Sequence, residues 1–225
     1  MLLPELITER TNYAHVIAII NNSYETLYDE EDFFIIHSLV NDNYCVEMRD
    51  NSKLDKVAHI LETLRPDLLL TTSQAIFNSL KNEYSNAYMC KQFTYPDNFG
   101  FNPNVRLLNK ADLPYVIDTY GESNYITQLF DRNRILGYYL DNALIGYVVH
   151  HIDDTVGALF ITPEYRRNKY GAELLKSAVN YFGSNLVYSH VVSTNTASLK
   201  LHQSIGAKTA DTNIYWMHNI GYSFN

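Results

Sequence analysis

The stretch FITPEYRRNKYGAELLKSAV, Phe160 to Val179, constrains the fold more than any other part of the chain. It continues an apolar run, GALFIT, that reads as a buried strand. It ends with Leu174, Leu175, Ala178 and Val179 on one face of a helix. Pro163 has no N–H to donate and so ends the strand ladder. A strand that turns straight into a helix requires an α/β arrangement, with the helix packed back on the sheet. The N–H groups at the start of such a helix lack intrahelical partners, and together with the helix dipole they favour an anion, phosphate above all. Arg166, Arg167 and Lys169 add positive charge there, and Gly171 lets another group come close to the backbone. This chemistry suits a pyrophosphate held by main-chain amides. On this stretch alone, a solvated basic turn is an equally good reading.

Elsewhere the balance of charge is acidic. Twenty-five acidic residues against 17 basic ones give a net charge of −8, which argues against a nucleic-acid or anionic-membrane surface. The positive charge of the turn is therefore local. Two cysteines, Cys45 and Cys90, show no metal-ligand spacing and fit a reduced interior, so no metal site is expected. The opening MLLPELITER carries early acidic residues and no apolar leader core, and the longest apolar runs are far too short to span a bilayer. A soluble, cytoplasmic protein is the expectation.

Along the first half, helical and extended patterns alternate. NYAHVIAIINNSY and SKLDKVAHILETL have helical apolar spacing, the second with Ser52 placed to cap it. YCVEMRD, DLLLTT and NAYMCKQFTY read as strands, and SQAIFNSLKNEY as a helix. Thr94 to Asn104 is rich in proline, glycine and asparagine and reads as a linker, which divides the chain at residue 102. The second half continues with a short strand at Val105, two tyrosine-rich helices, and a hairpin turning at Asp141-Asn142. NLVYSHVVST and TNIYWMHNI follow as strands, with the helix TASLKLHQSIG between them.

A second motif changes the weight of the first. NTASLKLHQSIGAK, Asn195 to Lys208, comes at the end of the next strand. The pair resembles the GCN5-related N-acetyltransferase (GNAT) superfamily. There a P-E-[YH]-R-x-x-G-x-G turn cradles the pyrophosphate of acetyl-CoA, and a later N-x-x-[AS] helix lies along its pantetheine arm. Pro163, Glu164, Tyr165, Arg166 and Gly171 match the first; Asn195, Ala197, Ser198, Leu201 and Gly206 match the second. The resemblance covers roughly Val105 to His218. The terminal NIYWMH and the α/β half in front resemble the FR47-like branch, which includes glycine N-acyltransferases.

The resemblance implies a C-terminal GNAT fold, residues 103–225, with a mixed, mostly antiparallel sheet and flanking helices. A smaller N-terminal α/β domain, residues 1–102, precedes it. It implies acetyl-CoA or another acyl-CoA as cosubstrate, and a small-molecule or peptide amine as acceptor. The cofactor contacts would be Phe160, Ile161, Thr162, Arg166, Arg167, Asn168, Lys169, Tyr170, Gly171, Ala172, Asn195 and Ser198. Three departures stand out. Lys169 occupies a position where the family has glycine, which strains the backbone if φ is positive there. His202 replaces the tyrosine presumed to protonate the departing thiolate; it is either that general acid or a histidine packed on its helix. The strand GALFIT has Phe160 where many relatives carry a glutamate base. His150, His151, Asp153 and Asp154 are the candidates left nearby, and only one of the two histidines can face the cleft, because successive strand residues point to opposite faces. An acyl-CoA-binding module without catalysis is the alternative. The first half is open to three roles: a dimer face in a homodimer, a lid, or a degenerate copy of the second half.

Overall fold

The computed structural model describes residues 1–97, 99–183 and 186–219. The chain forms an α/β fold of two compact units, each with its own sheet, and its described strands pair mostly antiparallel. Asn98 of the expected linker, Asn185 at the start of NLVYSHVVST and Ile220 at the end of TNIYWMHNI lie outside the described residues.

The first unit takes in Met1–Gln92, the short piece His190–Asn195 and the chain from Thr209 on. In order it holds α1 (Leu3–Leu6), α2 (Ala14–Ile20), β1 (Tyr24–Asp29), β2 (Phe33–Ser38), β3 (Asn43–Met48), α3 (Leu54–Leu64), β4 (Leu68–Thr71), α4 (Gln74–Leu80) and most of β5 (Asn86–Thr94). The β1–β2 hairpin has no counterpart in the sequence reading. The 3₁₀ turn Asn51–Lys53 ahead of α3 is capped by Asp50, whose carboxylate accepts the Ser52 N–H at 2.9 Å; α3 itself has no side-chain cap, so Ser52 is a capped residue rather than the cap. Ser73 does cap α4, accepting from the Ile76 N–H at 3.4 Å.

Chain order and compact unit do not coincide. The last strand of the chain, Lys208–His218, pairs antiparallel with β4, Tyr215 opposite Thr71 and His218 opposite Leu68. It thereby joins a seven-stranded sheet, while the second unit keeps a four-stranded one, so the expected smaller first domain carries the larger sheet. Two apolar layers cover that sheet. Val16, Ile19, Phe34, Ile36, Leu68 and Leu70 lie in one, and Phe33, Ile35, Val46, Val57, Leu61 and Leu69 in the other, as the period-two pattern of strands requires.

A polar chain crosses the first of these layers. His15 is fully buried, with Nε2 3.1 Å from Glu47 Oε1 and Nδ1 3.1 Å from Gln92 Oε1. Gln92 Oε1 also meets His190 Nε2 at 2.8 Å, and the Trp216 indole N–H donates to His190 Nδ1 at 2.9 Å. Glu47 accepts the Thr72 N–H at 2.9 Å and the Thr72 hydroxyl as well. Ligand-type atoms of His15, Cys45 and Glu47 come within 4.8 Å of one another, although neither cysteine has metal spacing in the sequence.

The second unit takes in Phe93–Ser189 and Thr196–Lys208. It holds β6 (Val105–Leu107), α5 (Leu113–Tyr120), α6 (Ser123–Asp131), β7 (Ile135–Leu140), β8 (Ala143–His150), β9 (Val156–Ile161), α7 (Tyr170–Phe182), the start of β10 (Tyr188–Val192) and α8 (Thr196–Ser204); the terminal strand is β11. The β7–β8 hairpin turns at Asp141 and Asn142, both left-handed at φ 49° and 66°, as a tight two-residue turn demands. On one face of the sheet, α7 buries Leu174, Leu175, Ala178 and Val179 against Leu136, Val148, Val156 and Ile161. On the other, Thr119 of α5 bonds the Tyr147 hydroxyl at 3.0 Å and Tyr125 of α6 bonds His151 at 2.8 Å.

Removing Glu47 would leave His15 Nε2 and the Thr72 N–H without a partner inside the first unit. Glu47→Ala is expected to destabilise the fold by about 3 kcal/mol, the range for breaking a buried pair. Urea unfolding followed by circular dichroism measures it; a loss under about 1 kcal/mol would show the network to be dispensable.

Candidate active site

β9 is the outer strand of its four-stranded sheet, and its ladder with β8 is broken. Tyr147 faces Phe160 and Val149 faces Gly157, so the single residue Val148 lies opposite both Ala158 and Leu159. That is a β-bulge, and Ala158 makes it at φ 47°. Along the outer edge, Thr155 meets Tyr188 in a single parallel bridge. Beyond the bulge, Phe160 stacks on Tyr147 at 5.5 Å and meets Tyr115 edge-on at 6.2 Å; the Tyr115 hydroxyl lies 3.1 Å from Thr162 Oγ1.

The strand leads through a short 3₁₀ turn, Pro163–Tyr165, into α7. Arg166 Nε donates to the Ile161 carbonyl at 2.8 Å, with its guanidinium 5.8 Å from the Phe160 ring, so this arginine ties the turn to the strand end. Arg167 and Lys169 are both left-handed, at φ 68° and 66°. Of the two conformations left open at Lys169, the left-handed and strained one is present, and Lys169 is the residue from which α7 starts. The N–H groups of Ala172 and Glu173 bond the Lys169 carbonyl at 2.9 and 3.1 Å. Among the described residues, the five N–H groups from Arg167 to Gly171 make no hydrogen bond within the chain. A left-handed residue between others turns successive amides to one side and makes an anion-binding concavity. Arg167, Asn168 and Lys169 are exposed around it. Gly171 has no positive φ; a Cβ there would stand 3.4 Å from Leu159 and 3.9 Å from Leu201, in ordinary contact.

Of the residues on the later motif, Ser198 and His202 belong to this unit, one turn apart on α8. Asn195 belongs to the first unit, where its N–H bonds the Val192 carbonyl at 2.8 Å. His202 is buried beside Phe93, ring centres 4.9 Å apart, and its Nδ1 lies 2.8 Å from the Ser198 carbonyl. A carbonyl only accepts, so Nδ1 carries the proton. Burial lowers the pKa of His202, and the Ser198 carbonyl opposes this only in part. At neutral pH its one proton is thus held by its own helix. That geometry favours packing over proton donation.

The two adjacent histidines point to opposite faces, as strand geometry requires. His150 lies flat on Phe182 of α7, ring centres 4.4 Å apart. Burial, with Arg134 and His151 nearby, pushes its pKa down to about 3. It is a core histidine on the α7 face, away from the side that Phe160 and Tyr147 line. His151 turns the other way, toward α5 and α6. The bulge and the Tyr125–His151 contact were not read from the sequence. GALFIT is a plain apolar run, and only the alternation of the two histidines hinted at their division.

With this geometry in place, the relatives are informative. Residues 103–207 match the model of the Acetyltransferase (GNAT) family. Solved structures share the fold over most of the chain. A Drosophila protein is 18% identical, with 85% of this chain and 75% of that one covered at a TM-score of 0.62. A GCN5-related N-acetyltransferase from Kribbella flavida is 8% identical, with 94% and 95% covered at 0.55. An acetyltransferase of the GNAT family from Colwellia psychrerythraea is 10% identical, with 89% and 87% covered at 0.53. No curated protein matches the chain.

Two outcomes are expected. Lys169→Gly and Lys169→Ala both lose the ammonium, but only glycine relieves a left-handed backbone. The glycine variant should be the more stable of the two by about 1 kcal/mol in thermal or urea unfolding; equal stabilities would contradict the left-handed start of α7. The histidines give a second test. His150, His190 and His202 all have pKa values lowered by burial, so below pH 6.5 the unfolded chain binds more protons than the folded one. Stability should therefore be full above about pH 6.5 and fall as pH drops toward 3. His150→Phe, measured by melting temperature against pH, should make that fall shallower.

Proposed function

We propose that this chain is an acyl-CoA-dependent N-acyltransferase that moves an acetyl group from acetyl-CoA to a primary amine of a small molecule or peptide. The observation that carries the reading is the run of five unpartnered amides, Arg167 to Gly171, at the mouth of α7 with Arg167 and Lys169 exposed beside it. These groups would hold the pyrophosphate, with Asn168, Tyr170 and Ala172 completing the turn. Thr162, Ile161 and Phe160 would border the acyl arm along β9, and Ser198 would face it from α8. The FR47-like, glycine N-acyltransferase-like branch remains the best placement from the terminal NIYWMH.

In the reaction, the amine nitrogen attacks the thioester carbon directly. The C–N bond forms, the C–S bond breaks with its electron pair on sulfur, and the proton that the nitrogen sheds ends on that sulfur as the free thiol. Charge develops on the carbonyl oxygen in between. A backbone N–H at the Ala158–Leu159 bulge, released from the β8 ladder, is the donor suited to it. Holding amine and thioester together supplies much of the rate. Neither cysteine is a nucleophile here: Cys90 is buried, with its thiol pushed up to about 12, and burial also raises the Cys45 thiol well above the usual range.

The second reading, an acyl-CoA-binding module without catalysis, is favoured by one observation: Phe160 stands where a carboxylate base would, stacked on Tyr147. Thiol release from acetyl-CoA with a panel of primary amines separates the two readings. Acetyl-CoA should also raise the melting temperature by mass action. Arg167→Glu combined with Lys169→Glu alters only exposed side chains, and it should abolish that shift while leaving the unliganded melting temperature within about 2 °C, as surface substitutions do. An unchanged shift in the double variant would move the phosphate site elsewhere.

A further inference from the structure

We propose that the first unit binds a structural divalent metal ion of the zinc class through His15, Cys45 and Glu47. Cys45 and Glu47 are alternate residues of β3, so both side chains leave the same face of the sheet, the face that α2 covers. All three side chains are buried, His15 and Cys45 completely. One ligand-type atom of each lies within 4.8 Å of the other two. Around a tetrahedral zinc ion, thiolate, imidazole and carboxylate donors stand about 3.3 to 3.7 Å apart. His15 Nε2 and Glu47 Oε1, at 3.1 Å, are already near that spacing. The sulfur has at most about 1 Å to move.

The hydrogen bonds around the cluster single out this contact. The Gln92 amide nitrogen donates to the Thr11 and Asn12 carbonyls at 2.8 and 2.9 Å, which fixes its Oε1 toward His15 Nδ1. That oxygen only accepts, so Nδ1 carries the hydrogen and the neutral ring has its lone pair on Nε2. Nε2 therefore faces a second acceptor, the carboxylate oxygen of Glu47. Two acceptors in contact inside a core call for a cation between them, either a proton or a metal ion. Cys45 decides for the metal. A proton bridge makes no use of a third donor, whereas a zinc-class ion gains a thiolate, and one thiolate with one carboxylate balances its two charges. The outer contacts are those of a ligand set: His15 is oriented through Nδ1, and Glu47 accepts the Thr72 N–H at 2.9 Å and the Thr72 hydroxyl. As the metal–sulfur bond forms, the thiol proton leaves for solvent; without the ion, burial and Glu47 keep that thiol protonated. Three protein donors leave the fourth position to water. An ion enclosed this way enters as α2, β3 and β4 assemble, so it requires no channel in the folded unit.

The test uses the full chain, unfolded in urea with a chelator and a reductant. It is then refolded with one equivalent of Zn²⁺, with one of Co²⁺, or with neither, and loose metal is removed by gel filtration. Wild type should retain one ion per chain by atomic spectrometry, and the zinc form should melt higher than the metal-free form. The cobalt form should show the thiolate-to-cobalt charge-transfer band together with the strong visible bands of a tetrahedral ion. Cys45→Ser should lose the charge-transfer band and hold zinc at least about 10-fold more weakly against a competing chelator. Cys90→Ser leaves Cys45 as the chain's only thiol, so it should keep the band, and it assigns the sulfur even if Cys45→Ser does not refold. A wild type that refolds to its native circular dichroism without retaining metal would overturn the proposal and leave a proton between His15 and Glu47. A charge-transfer band that survives in Cys45→Ser, or is missing from Cys90→Ser, would overturn it as well.

Discussion

An alanine at φ 47° in the middle of β9 fixes what each side of the second unit's sheet presents. Without the extra residue, strict alternation would put Val156, Ala158 and Phe160 on one face. With it, Val156 shares the α7 core with Ile161, while Phe160 turns toward Tyr147 and Tyr115 on the other side. The aromatic wall and His151 therefore lie on one side only because the strand is irregular. A non-glycine residue in this region costs of order 1 kcal/mol, and such strain persists where surrounding packing over-determines it. Here the packing is α7 on one face and the tyrosines of α5 and α6 on the other.

The same economy of backbone recurs in the turn. Two left-handed residues, Arg167 and Lys169, aim amides outward where a regular helix entry would use a side-chain cap; none caps α7. The unit keeps both irregular segments on one strand–turn–helix path of fewer than twenty residues, Gly157 to Tyr170. A scaffold of ordinary hairpins and an amphipathic helix holds them.

Much of this path was legible in the residues. The face formed by Leu174, Leu175, Ala178 and Val179 specified α7, Asp141-Asn142 specified the hairpin, and the lysine in place of glycine at 169 marked a position whose φ the residues left open. What failed shares a cause. The β1–β2 hairpin runs through YETLYDEEDFFIIHS, whose first strand is largely exposed and whose second is buried on both faces, so neither alternates. The bulge leaves no mark on composition. The exchange of β11 into the first unit's sheet depends on pairing between residues 68–71 and 215–218, which no local pattern encodes. His150 and His151 could be divided between faces from strand geometry, but their assignment required the positions of Phe182 and Tyr125.

The interleaving of the two units has a consequence for biosynthesis. The second unit contains Thr196–Lys208 and the first contains the strand that follows, so neither is a continuous stretch of chain. As the ribosome proceeds from the N-terminus, β4 emerges well over a hundred residues before the strand that flanks it. At the elongation rates of living cells its open edge waits for seconds to tens of seconds. During that interval an apolar strand, Leu68 to Leu70, has unmet hydrogen bonds on one side, the condition under which nascent sheets pair with the wrong partner. The unit that starts first finishes last, and its solubility during synthesis rests on whatever shields that edge until the final strand arrives.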